Sequence, residues 1–236
     1  MSEPSIRTEK RTLAVDDGTE LGIHVARPAG TPRGGLLVLQ EIFGVNTHIR
    51  DVTERFAREG YLAVAPDLFH RGGAWFESGY ADLAPCLARA NALTQPQIRA
   101  DLRASHAYLA ADLGADAKVA AVGFCMGGRQ AFVANGTLPL ACAISYYGAG
   151  LPGLADLAPS QSGPVLMFWG GLDKHIDAAQ RRAAADLLIA AHKPYVDVTF
   201  GAADHGFHCD ARASYHPVAA RQAWALTRAF LADHLG

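Results

Sequence analysis

Lys118 to Gly128 reads Lys-Val-Ala-Ala-Val-Gly-Phe-Cys-Met-Gly-Gly. Val119 to Gly123 is a short apolar run, the size of a buried strand, and Met126 to Asn135 has helical spacing. Between them, Gly123-Phe124-Cys125-Met126-Gly127-Gly128 leaves only a tight strand-to-helix turn, with the form G-x-S-x-G and Cys in place of Ser. Glycines flank a residue in such a turn because neighbouring side chains have little room. At a helix N-terminus the local dipole also favours a thiolate over a thiol. The plainer reading is a buried Cys at a strand end.

Outward from this turn the same alternation repeats. Leu36 to Leu39, Tyr61 to Ala65, Ala141 to Tyr146, Val165 to Trp169 and Val196 to Phe200 are further short apolar runs that read as buried parallel strands. Helix spacing covers about Thr47 to Glu59, Asp82 to Leu93, Pro96 to Leu113, Asp177 to His192 and Pro217 to Leu235. Thr12 to Arg27, around Asp16-Asp17-Gly18, reads as an opening hairpin. Alternating strands and helices predict an α/β domain with a parallel sheet covered on both faces. No composition break divides the chain, so a single domain over 1–236 is expected. The irregular stretch Phe69 to Tyr80, with Gly72-Gly73, Trp75 and Phe76, reads as a cap loop, or as a surface loop with its aromatics tucked into a helix.

Composition removes several function classes. The 236 residues are 50% hydrophobic and 19% charged with a net charge of -2, so no basic field exists to hold nucleic acid or anionic lipid. No run approaches the roughly 20 apolar residues of a membrane span. The start, Met1 to Arg11, is polar and lacks the apolar core of a leader, so a cytoplasmic location is expected. The four cysteines, Cys86, Cys125, Cys142 and Cys209, show no CxxC pair and no metal-ligand spacing, so neither a disulfide framework nor a structural zinc is expected, which leaves room for a reactive thiol; no motif calls for a cofactor. Cys86 and Cys142 sit in apolar runs as packing residues.

A thiol nucleophile needs a base, and in this order of elements an acid and a His follow it. Gly170-Gly171-Leu172-Asp173 ends one strand and Asp204-His205-Gly206-Phe207-His208 follows the next, which makes Cys125, Asp173 and His205 the candidate catalytic set. His205 would move the proton and Asp173 would hold the imidazole tautomer. His208 competes with His205, and is otherwise expected to line the site; Asp204 competes with Asp173. Gln40-Glu41-Ile42-Phe43-Gly44 follows the strand Leu36 to Leu39, and the Ile42 and Met126 N–H groups are the candidate oxyanion hole. Glu41 beside them is read as an arginine partner or as a group that tunes the thiol.

Together with Ala65-Pro66-Asp67-Leu68, Tyr146-Tyr147-Gly148 and His205-Gly206-Phe207, these motifs resemble the dienelactone hydrolase family (carboxymethylenebutenolidase-like) of the α/β-hydrolase superfamily. The resemblance implies an α/β-hydrolase fold, a mostly parallel sheet of about eight strands with a short cap loop. It implies Cys125, Asp173 and His205 as a triad and a thioester acyl-enzyme that needs no metal. It implies Glu41 as the group that keeps the resting thiol neutral and takes its proton when substrate arrives.

One departure bears on substrate. Family members that prefer the carboxylate-bearing dienelactone hold it with arginines, one of them four residues after the catalytic His, where this chain has Cys209; the nearest Arg is Arg212. A thiol makes no bidentate contact to a carboxylate. Arg71 or Arg89 from the cap are candidate replacements, and Arg129 is a further candidate anion contact or a plain surface residue. A pocket of Trp75, Phe76, Tyr80, Tyr147 and Phe207 suits a neutral aryl ester or lactone. The expected partner is a small-molecule ester or lactone, with the chain a monomer or homodimer. Two alternatives stand beside this reading: a promiscuous phosphotriesterase on the same triad, and a non-catalytic ligand-binding relative.

Overall fold

The computed structural model describes residues 5–114 and 116–236. Of the polar start, Met1 to Pro4 lie outside the described residues, as does Ala115. The chain gathers into two compact units, residues 1–120 and 121–236.

In the first unit the strands run in the order β1 (Ile6–Ala14), β2 (Glu20–Pro28), β4 (Leu62–Pro66), β3 (Gly35–Leu39). The expected hairpin is present, and its first strand begins at Ile6, six residues before the sequence suggested, with Ile6 opposite Pro28. β1 is almost wholly exposed, so the burial pattern that marks other strands is missing there. β2 pairs antiparallel with β4, and β3 parallel with β4. Helices α1 (Thr47–Arg58) and α3 (Gln95–Leu113) pack on β3 and β4. Asn46 caps α1 by accepting from the Ile49 N–H at 3.2 Å, and Thr94 with Gln97 forms a capping box at the start of α3. Between them come a short 3-10 turn, His70–Gly72, an irregular loop, and α2 (Ala84–Ala92).

The second unit begins within β5 (Val119–Phe124) and continues with α4 (Met126–Thr137), β6 (Cys142–Tyr146), β7 (Val165–Gly170), α5 (Ala178–Ala190), β8 (Tyr195–Phe200) and α6 (Pro217–Leu235). Its strands lie in chain order, with β6, β7 and β8 in parallel register. α4 packs on β6, α6 on β6 and β7, and α5 on β8. The expectation of a buried strand at Val196 to Phe200 is corrected: β8 ends the row, pairs with β7, and has only half-buried and exposed residues. An edge strand is covered on fewer sides, so its apolar residues do not imply full burial.

Candidate active site

Three strand ends of the second unit build the site, and an aromatic stack beneath holds them in register. Phe124 on β5 stacks against Tyr146 of β6 and Phe168 on β7 packs tilted against it, with ring centroids 4.7 Å apart in each pair. All three rings are fully buried. Each such ring contributes about 1.5–3 kcal/mol by leaving water, more than a surface ion pair would. The Tyr146 hydroxyl reaches Thr227 Oγ1 of α6 at 2.7 Å, which ties the stack to the last helix.

Cys125 stands between β5 and α4 with φ 55° and ψ -115°, a backbone conformation strained for a side chain with a Cβ. It is held there by hydrogen bonds at both ends of its peptide: its N–H donates to Tyr146 O at 3.0 Å, and its carbonyl accepts from the Gly128 N–H at 3.0 Å. A Cβ on Gly123 would lie 1.9 Å from the Gly127 carbonyl oxygen, so the first glycine of the motif is required by close backbone approach. Met126, the first residue of α4, has an N–H with no partner inside the helix.

Asp173 and His205 arrive from the loops after β7 and β8. His205 Nδ1 and Asp173 Oδ2 lie 2.8 Å apart. The other carboxylate oxygen accepts from the His175 and Ile176 N–H groups at 2.7 and 3.1 Å. Arg181 on α5 fixes this loop, donating to the Gly170 and Ile176 carbonyls at 2.9 and 3.1 Å. The remaining side of His205 hydrogen-bonds the Cys125 side chain. Burial works against the charged imidazole, but the Asp173 hydrogen bond and the hydrogen bond and charge of the Cys125 sulfur outweigh it, so the His205 pKa is pushed up to about 10. Burial likewise pushes the Asp173 carboxyl up, yet His205 and the two backbone N–H groups hold it below the usual range.

Around this set the buried Tyr147 ring lies 5.1 Å from the His205 ring and 5.3 Å from that of Phe207. His208 takes a different position from its rival. It is 3% exposed and packs against Phe124, Tyr146 and Trp224, at 5.2, 5.0 and 6.0 Å between centroids, which makes it part of the aromatic floor. Asp204 accepts the His205 backbone N–H at 2.7 Å, a contact to the main chain and not to the imidazole. Arg129 donates to the Gly150 carbonyl, and Cys209 is fully buried.

The remaining candidates belong to the first unit. Glu41 is fully buried and Ile42 half-buried on the turn after β3. Gly44 on that turn bridges to Glu77 of the cap loop, with the Phe43 carbonyl accepting from the Ser78 N–H at 3.1 Å. The aromatics of the cap do not make one wall. Trp75 crosses to the hairpin, where Lys10 Nζ sits 3.9 Å over its ring and its indole fills the space at Gly22. Phe76 lies under the Arg89 guanidinium at 4.0 Å, while Tyr80 packs edge-on against Phe43 at 4.7 Å and accepts from Asn46 at 3.2 Å. Arg89 also donates to the Gly72 carbonyl and lines a cavity of about 340 Å³ with Phe69, Pro85, Ala88 and Leu93. Arg71 is not available to a ligand carboxylate as the sequence allowed, because Asp101 and Asp17 occupy its guanidinium.

Sequence reasoning missed two residues, His175 and Arg181. His175 was detectable as a titratable residue two places after Asp173. Arg181 looked like any helix arginine, and its grip on two carbonyls needs the loop's shape.

A profile of the dienelactone hydrolase family matches residues 21–235. The chain belongs to the dienelactone hydrolase family. Within that family it is 36% identical over 231 residues to the Azospirillum brasilense protein named "Putative carboxymethylenebutenolidase", covering 94% of this chain and 97% of the relative. A protein of the same name from Synechocystis is 36% identical over 200 residues, covering 80% and 81%. The crystal structure of a dienelactone hydrolase homologue from Klebsiella pneumoniae superposes with a TM-score of 0.88 at 32% identity, covering 97% and 99%. The fold of this dienelactone hydrolase family member is thus the α/β-hydrolase fold, and the chain is a carboxylic ester hydrolase. That sets aside the reading of a non-catalytic relative. Among the described residues no helix is long and apolar enough to cross a membrane.

Proposed function

We propose that the chain, as one α/β-hydrolase domain over 1–236, hydrolyses neutral carboxylic esters and lactones with enol or phenol leaving groups, by covalent catalysis at Cys125. The observation that carries the reading is a cysteine on a strained strand-to-helix turn, hydrogen-bonded to a His whose other nitrogen lies 2.8 Å from a buried carboxylate. In this reading His205 takes the Cys125 proton as the sulfur bonds to the carbonyl carbon. The Met126 N–H stabilises the resulting oxyanion. The carbon–oxygen bond then breaks and His205 returns its proton to the leaving oxygen. Water, deprotonated by His205, attacks the thioester; the carbon–sulfur bond breaks and the thiol is regenerated. Asp173 keeps the imidazole in the tautomer that faces sulfur. Glu41 and Ile42 enter this reading on the strength of the Gln40–Asn46 motif alone, as the group that tunes the thiol and the second oxyanion donor.

Preference for neutral substrates follows from the arginines. Cys209 stands at the clamp position, Arg71 is held by two carboxylates, and Arg129 serves a backbone carbonyl. Steady-state hydrolysis of a dienelactone beside a nitrophenyl ester, with wild type and Cys125→Ala, tests both claims. The nitrophenyl ester should turn over better, and Cys125→Ala should lose about 10³-fold or more in kcat. A variant that keeps its rate removes the thiol from the mechanism, and a faster dienelactone removes the neutral-substrate preference.

A second reading has its own support. A dienelactone hydrolase-like promiscuous phosphotriesterase, P91 from metagenomic libraries, superposes with a TM-score of 0.86 at 24% identity. The donors that stabilise a carboxylic oxyanion would serve a phosphoryl oxygen equally well. Release of nitrophenol from a dialkyl nitrophenyl phosphate, abolished by Cys125→Ala, is the expected result.

A further inference from the structure

His205 meets two other rings among the described residues. One is Tyr147, fully buried; the other is His175, which is exposed and set edge-on, with centroids 5.2 Å apart and planes at 77°. His175 follows Asp173 by two residues, and its backbone N–H already donates to Asp173 Oδ1 at 2.7 Å. The loop therefore holds its ring beside the Asp173–His205 hydrogen bond. An exposed ring is thus packed edge-on against one that is only 8% exposed.

We propose that His175 is a positioning residue for His205, its ring acting as an outer wall that keeps water off the Asp173–His205 hydrogen bond. The wall acts by shape, since an edge-on contact of this kind needs a flat ring and not a particular charge. Water competes for both partners of an exposed hydrogen bond and screens their charges. The groups that face the His205 imidazole are Asp173 and Cys125, which act on its charge, and the rings of Tyr147 and His175; Asp204 meets only its backbone N–H. Asp173 and Cys125 raise its pKa and burial lowers it, to a net value of about 10. As water enters, all these influences weaken together, and the limit is the ordinary value of 6.5. Opening the wall moves His205 downward where screening of the Asp173 charge outweighs the relief of burial.

The catalytic meaning of this inference rests on the proposed triad, but its test does not. Ring-carbon NMR titration of labelled histidines, with the His205 signal assigned from His205→Gln, reads the midpoint directly. His175→Ala should lower it by about one unit or more, and the pH dependence of kcat should shift by the same amount with KM within about twofold. His175→Phe should restore the wild-type midpoint, and Lys174→Ala, a change at the adjacent exposed position of the same loop, should leave it unchanged. A wild-type midpoint in His175→Ala overturns the inference, as does a His175→Phe variant that behaves like the alanine. Full activity in Cys125→Ala would instead sink the triad while leaving the titration result standing.

Discussion

Each unit of this molecule contains a buried aspartate against a histidine, and the two pairs have different surroundings. In the second unit, Asp173 gives one oxygen to His205 at 2.8 Å and the other to two backbone N–H groups. In the first, Asp101 meets His70 Nε2 at 3.2 Å, and both of its oxygens also accept from the Arg71 guanidinium, at 2.7 and 2.8 Å. Backbone donors are neutral, so the charge of Asp173 acts on the imidazole. A guanidinium is a full cation, so the charge of Asp101 is already matched. Beyond His205 lies the Cys125 side chain, which hydrogen-bonds it. Residue type and burial are thus shared by a candidate catalytic pair and by one that fastens the 3-10 turn at His70–Gly72 to α3, and the third partner distinguishes them.

The largest effects should separate the two pairs by activity. Asp173→Asn and His205→Gln are expected to lower kcat by about 10³-fold or more, whereas His70→Gln should stay within a few-fold of wild type on the same nitrophenyl ester. A collapse of activity in a well-folded His70→Gln would erase the distinction. Stability should separate them in the other direction. Arg71→Met leaves Asp101 buried without its cation and should cost about 3–5 kcal/mol, read as a lowered denaturant midpoint with activity retained at low temperature.

Acidity sharpens the comparison further. The raised pKa of His205 adds stability that is complete below its ordinary 6.5 and is lost as pH rises through about 10. Alkaline unfolding should therefore lose part of its pH dependence in Asp173→Asn. The smallest effect concerns His24 on β2, lowered to about 4 by burial and by the charges of Arg50 and Lys10. The folded chain resists its protonation, so stability falls as pH drops from 6.5 toward 4. His24→Gln should flatten that acid limb of the denaturation profile, and an unchanged limb would refute the assignment.

Much of the architecture was legible in the order of residues. Local rules set the elements: Pro217 opens α6 and Leu235 closes it where the apolar spacing said, and α1, α3 and α5 each begin at a capping side chain. The strand-to-helix turn at Cys125 was readable because its glycines answer a clash between near neighbours, Gly123 and Gly127. Legibility failed where a residue's surroundings come from distant segments. Val196 to Phe200 has the composition of a buried strand and lies at an edge. Trp75 and Phe76 are adjacent in sequence yet diverge to the hairpin and to Arg89.

By itself, then, the sequence determined the alternation of strands and helices, the elbow around Cys125, and the loops that carry Asp173 and His205, because helix spacing, capping and glycine turns act over a few residues. The tertiary structure alone decided which imidazole faces the sulfur and which joins the aromatic floor. It also decided which arginines are already matched by carboxylates and that His175 walls the pair, because hydrogen bonding, burial and charge depend on groups brought together from far apart in the chain.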